Sequence, residues 1–147
     1  MNIITQLRDI VTTEAQISEG LVAVLQQQQE ALVRNDVGEL QTLVDQSEEL
    51  MQPMAALERE RERLSEMIMG NAVQGGAIRS DDLVKHVGGD EGVILGNVIR
   101  RLRFASREIV RINDLNRPLL EHAQAFIRQT LRAATDDYRK NLVDRKL

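Results

Sequence analysis

The 147-residue sequence contains no cysteine and no tryptophan, and its aromatic residues are limited to Phe104, Phe126 and Tyr138. Without cysteine, disulfides and thiolate metal sites are excluded, which fits a reducing compartment. The two histidines, His86 and His122, lie far apart and belong to no His-x-x-x-His or Glu-x-x-His pair, so no metal site is readable. Phosphate loops of the Gly-x-x-x-x-Gly-Lys type and Gly-x-Ser-x-Gly elbows are also missing. A chain that is not an enzyme and carries no cofactor is expected. The shortage of aromatics removes stacking platforms for single-stranded nucleic acid. A net charge of −4 gives no overall pull toward phosphate backbones or anionic lipid. No apolar run approaches the roughly 18 residues of a membrane span, and the N-terminus lacks a basic start and an apolar stretch. The expectation is a cytoplasmic protein that neither binds nucleic acid nor inserts in a membrane.

The 42% apolar fraction is instead carried by aliphatic residues at helical spacing. Ile3, Leu7, Ile10, Glu14, Ile17, Leu21, Val24, Gln28 and Ala31 follow at alternating steps of four and three, a heptad seam with two polar interruptions. This predicts a first helix over 1–35. At Asp36 the pattern restarts, with Glu39 placed for a capping box. A second helix over 36–69 carries Leu40, Leu43, Ser47, Leu50, Met54, Leu57, Arg61, Leu64 and Ile68, and the two make an antiparallel hairpin. Pro53 removes a backbone hydrogen bond but leaves the seam in phase, so a kink is expected there.

Residues 70–90 are glycine-rich and read as a linker with a short helix near 81–87, capped by Ser80 and ended by Gly88. Asp90 is placed to cap a third helix over 91–134, whose seam runs Leu95, Val98, Leu102, Ala105, Ile109, Ile112, Asn116, Leu119, Ala123, Phe126, Thr130 and Ala133. Residues 135–147 are charged and poor in apolar side chains, which predicts a frayed or flexible tail. The whole is an all-α, elongated, coiled-coil-like bundle of a helical hairpin and a long third helix, in one domain.

Three features need a choice of readings. Pro118 falls between seam positions 116 and 119 without shifting the register, which favours a kinked continuous helix over a fresh helix capped by Asn116. Arg100, Arg103, Arg107 and Arg111 form a basic stripe, read as a solvated face partnered by glutamates of the hairpin, with a nucleic-acid or acidic-partner patch as the alternative. Glu14, Gln28, Ser47, Arg61 and Asn116 interrupt the seams. Such residues fix register in coiled coils, or leave a groove for a partner helix to complete.

The stretch Asn-Asp-Leu-Asn-Arg-Pro-Leu-Leu-Glu from Asn113 to Glu121 resembles the late-helix signature of the FlgN family of flagellar export chaperones. The helical hairpin with "ALVRNDVGELQTLVDQSEELM" at its turn, the "LERERERL" flank, the loose middle and the long last helix are similar to the same family in the same order. The resemblance implies a cytosolic chaperone that binds the C-terminal helices of hook-filament junction proteins and delivers them to the flagellar export apparatus. It further implies client binding by Ile109, Ile112, Asn113, Asn116, Leu119, Leu120, Phe126, Ile127 and Leu131, and export-gate docking by Tyr138. The rival reading is a structural coiled-coil subunit, a homo-oligomer joined through its seams.

Overall fold

The first seam becomes helix α1 (Ile3–Arg34), opened by Asn2, whose side chain accepts from the Ile4 N–H at 2.8 Å. It closes on Asn35 in the left-handed conformation, φ 55°, where a short polar side chain is tolerated. The Asp36 N–H returns to the Ala31 carbonyl at 2.9 Å, and the Asp36 carboxylate accepts from the Glu39 N–H at 3.1 Å. The chain thus reverses within two residues. Glu39 does not complete a reciprocal box; its carboxylate pairs with Arg34 at 2.8 Å.

The computed structural model describes residues 2–70 and 77–146, with side chains described to residue 136. After α1 come α2 (Val37–Met51), α3 (Met54–Met69), α4 (Ser80–Val87) and α5 (Gly89–Lys146), with no strand among the described residues. The fold is the expected all-α helical bundle with a long last helix.

Four expectations on element boundaries are corrected. The second helix is two helices, not one with a kink, because proline at 53 offers no N–H to the Glu49 carbonyl. The Gln52 N–H takes that carbonyl instead, at 3.4 Å, and a new helix starts from the Pro53 carbonyl, which accepts from Leu57 at 3.1 Å. Gln52 and Pro53 keep right-handed dihedrals, so the seam stays in phase across the break. Second, Ser80 is the first residue of α4 rather than its cap, and its hydroxyl meets the Arg103 guanidinium. Third, Asp90 lies in the first turn of α5, where its charge suits the helix dipole without capping. Fourth, α5 continues through 135–146, where a tail was expected: helix propagation needs no packing once a long nucleus exists, and this stretch lacks glycine and proline. The glycine-rich segment does contain the short helix, α4, ending at Gly88; residues 71–76 lie outside the described residues.

Helix α1 is the centre of the bundle. On one side it carries α2 and α3, running antiparallel to it; on the other it carries α5, running parallel. At one end Leu7 and Val11 meet Leu64, Met69, Leu83 and Leu95; in the middle Leu21 and Leu25 meet Ile112; toward the turn Val24 and Ala31 meet Leu43. Short helix α4 lies against the start of α5 at very close range. A Cβ on Gly92 would stand 2.9 Å from the Val84 carbonyl oxygen, so only glycine fits. Gly88 and Gly89, both at positive φ, make the turn that lays α4 down there.

Pro118 lies inside an unbroken α5, so the continuous-helix expectation holds and Asn116 is not a cap. At about 1.5 Å per residue, the 58 residues of α5 span roughly 87 Å. Its seam is covered by α1 as far as Ala123, after which residues 128–136 are exposed on every face.

Candidate functional site

The polar residues on the seams find one another or reach a main chain. Buried Glu14 of α1 accepts from Arg61 of α3 at 2.7 Å. Gln28 of α1 donates to the Leu43 carbonyl of α2 at 3.3 Å, and Asn116 of α5 donates to the Leu25 carbonyl of α1 at 3.1 Å. Ser47 bonds within its own helix, to the Val44 carbonyl at 2.7 Å. Three of these contacts join different helices, which is the register-setting reading. Burial pushes the Glu14 carboxyl above its ordinary range; Arg61 pulls it back, and Glu58 adds to the rise. One oxygen of Glu14 and the side-chain oxygen of Asn116 are buried without a partner.

The nine residues named for client binding divide by face. Ile112 and Asn116 are buried against α1, and Ile109 and Leu119 are half-buried beside them. Asn113 is exposed and borders a shallow depression with Leu21, Leu25, Val44 and Met51. Leu120, Phe126 and Leu131 are 39%, 53% and 61% exposed, as other large apolar side chains of α5 such as Phe104 and Val110 also are. Ile127, half-buried, lines with Phe126 a narrow crevice against Leu32, Val37 and Leu40 at the α1–α2 turn. The side chain of Tyr138 lies outside the described residues.

A larger groove was not foreseen. It lies at the other end of the bundle, between α3 and α5 over the floor of α1, and encloses about 890 Å³. Its α5 wall is formed by Ile99, Leu102 and Ser106. Ile99 and Ser106 begin a stripe continued at Asn113, Leu120 and Ile127, each seven residues on. That spacing was available in the sequence, but the stripe runs beside the main seam and contains polar members.

The basic stripe is corrected in part. Among the described residues none of its four arginines pairs with the hairpin: Arg111 pairs with Glu108 on its own helix at 2.8 Å, Arg100 meets Asn97, and Arg103 meets Ser80 and Asp81 of α4. The arginine that does reach the hairpin is Arg101, through Glu19 of α1. Residues four apart share a helix face, so Arg103, Arg107 and Arg111 lie together while Arg101 lies on another face.

Among the described residues, no group of three or more His, Cys, Asp or Glu could hold a metal ion, and no helix is long and apolar enough to cross a membrane. The candidate residues themselves lie on helix faces, the kind of surface on which another helix can be laid.

Comparison with curated proteins and with solved structures gave no match. The family model described as "FlgN protein" matches residues 1–141, which takes in the hairpin, α4 and nearly all of α5. This chain belongs to the FlgN family, the flagellar export chaperones.

Proposed function

We propose that the protein is a cytoplasmic chaperone that binds the C-terminal amphipathic helices of hook-filament junction proteins, prevents their premature assembly and hands them to the flagellar type III export apparatus. The observation that carries this reading is the exposure of Leu120, Phe126 and Leu131 on one long helix, beside and beyond the end of the hairpin. Leu120, Ile127 and Leu131, seven and four residues apart, share one face of α5 as the anchors of a helix laid along a helix do, with Phe126 on the adjoining face. A client tail that is disordered when free would fold on this face, burying its own apolar stripe. Asn113, exposed one turn before buried Asn116, supplies hydrogen bonds that set the client's register. Ile109, Ile112 and Asn116, packed on α1, with half-buried Leu119 beside them, act from behind by holding the face in place. Ordering the client costs several kcal/mol of the gross contact energy, so affinity is moderate, as release at the export gate requires. Tyr138, on the projecting part of α5, is the proposed contact with that gate.

Calorimetric titration with a synthetic peptide of the C-terminal helical segment of a junction protein from the same genome tests the reading. Saturable one-to-one binding with a negative heat-capacity change is expected. A folded protein that binds no such peptide, and that sediments as a stable oligomer, would instead be a coiled-coil subunit joined through its exposed seam.

A further inference from the structure

The exposed side of α5 carries a second repeat, of a different period from its seam. Val93, Phe104, Leu115 and Phe126 stand eleven residues apart and are 61%, 69%, 49% and 53% exposed. Eleven residues make three turns at about 3.67 each, close to the unstrained helix, so these side chains form one nearly straight stripe about 50 Å long. The heptad seam, buried at Leu95, Ala105, Ile112 and Ala123, runs beside the stripe and is already covered by α1.

The stripe is its own mirror image in polarity. About the midpoint between Ile109 and Val110, Val93 is placed as Phe126 is, Phe104 as Leu115, and Glu108 as Arg111. On the flank, Arg107 mirrors Asp114 and Arg100 mirrors Glu121, each to within two residues. Apolar answers apolar, and each charge answers the opposite charge. The contacts these groups already make leave that pattern standing. Glu108 and Arg111 pair with each other, Asp114 reaches Arg117 at 3.7 Å, and Arg100 meets the neutral Asn97. Arg107 and Glu121 make no hydrogen bond or ion pair among the described residues. Every one of these partners is on α5 itself, so no charge of the six is committed to another helix.

We propose that two copies of the chain associate antiparallel along this face, about a two-fold axis passing between Ile109 and Val110 of each. Phe104 then lies against the second copy's Leu115 and Val93 against its Phe126, while Glu108 exchanges its own Arg111 for the second copy's. A closed two-fold pair requires a surface complementary to itself, which a partner of unrelated sequence does not. The antiparallel direction follows from charge: a parallel pair in register would set Arg100, Arg107, Glu108 and Arg111 each against its own kind. The net charge of −4 per chain opposes this only weakly, being screened beyond about 8 Å at physiological salt, whereas the paired groups touch. One apolar anchor per three turns, where a coiled coil has about three, makes the pair transient, with a dissociation constant of about 10 µM.

Sedimentation of the full chain from about 1 to about 100 µM tests it, and a reversible monomer–dimer equilibrium is expected. Phe104→Glu and Leu115→Glu, both at exposed positions, should each abolish the dimer without lowering the melting temperature of the monomer. Glu108→Arg should weaken association by about tenfold, and adding Arg111→Glu should restore it. Direction is read by spin labels on Arg128→Cys, the chain's single thiol: an antiparallel pair holds them roughly 55 Å apart, a parallel pair roughly 20 Å. A chain monomeric to about 100 µM, a dimer that survives both Phe104→Glu and Leu115→Glu, or labels at the shorter distance would overturn the proposal. Phe126 belongs to this face and to the client face, but Phe104 belongs to this one alone. Phe104→Glu should therefore leave junction-peptide binding unchanged, and the failure of either reading leaves the other standing.

Discussion

The side-chain amide of Asn116 donates to the main-chain carbonyl of Leu25 across 3.1 Å, joining helices whose bonded residues are 91 positions apart in the chain. The other half of that amide, its oxygen, is buried with no partner. Asn116→Leu should therefore stay within about 1 kcal/mol of the parent, because loss of a hydrogen bond is offset by removal of a desolvated oxygen. Asn116→Asp should cost about 3 kcal/mol or more, since it buries an uncompensated charge beside a carbonyl. Urea denaturation of the two variants checks the ordering.

Glu14 predicts a pH signature. Burial raises its carboxyl above the unfolded-state value, so the folded chain holds the proton more tightly than the unfolded one. Its contribution is fully present below the unfolded carboxylate value and is lost as pH rises through the folded value. Glu14→Gln keeps the shape and loses the titration. Relative to the parent, the variant should gain stability as pH rises from the unfolded carboxylate value through the raised folded one, and the difference should be flat above that. Thermal melts of both chains across that range give the measurement.

Gly92 and Gly96 face the same neighbour at different distances. An added Cβ would stand 2.9 Å from the Val84 carbonyl oxygen at Gly92, but 3.5 Å from the nearest Val84 methyl at Gly96. Gly92→Ala should destabilise by about 1–3 kcal/mol through displacement of α4. Gly96→Ala, an ordinary contact in a helix interior, should be neutral or stabilising by about 0.5–1 kcal/mol. Denaturant midpoints of the pair separate the two outcomes.

The seam positions of α1 and α5 could be read from the alternation of threes and fours, and burial follows it from Leu7 to Ala31 and from Leu95 to Ala123. Heptads do not say where a seam stops having a partner. Phe126, Thr130 and Ala133 keep the rhythm but are exposed, because α1 turns back at Asn35. The polar seam residues were visible as interruptions. That Glu14 meets Arg61, or Asn116 meets Leu25, depends on the offset between helices, which no single helix encodes. The groove escaped notice for the same reason: its lining comes from four helices.

Leu119 and Leu120 are adjacent on α5 yet differ in role. Leu119 is half-buried, whereas Leu120 is exposed. Leu120→Asp combined with Phe126→Asp should remove junction-peptide binding by at least about a hundredfold while leaving the melting temperature near the parent's. Leu119→Asp should lower the melting temperature first, by an amount equivalent to about 2 kcal/mol. Calorimetry and circular dichroism on the same samples distinguish loss of site from loss of fold.

The central position of α1 also fixes the order in which the molecule can come together. Helix α1 is flanked on both sides by helices made after it, and its contacts with α5 close a loop of about 90 residues. Until α5 arrives, Leu21 and Leu25 face water on the side that Ile112 will cover. Folding should be slow for a helical protein of this size, and limited by that late, long-range closure. A nascent or truncated chain ending before α5 would itself expose an unpaired apolar stripe, the same kind of surface that its proposed clients present.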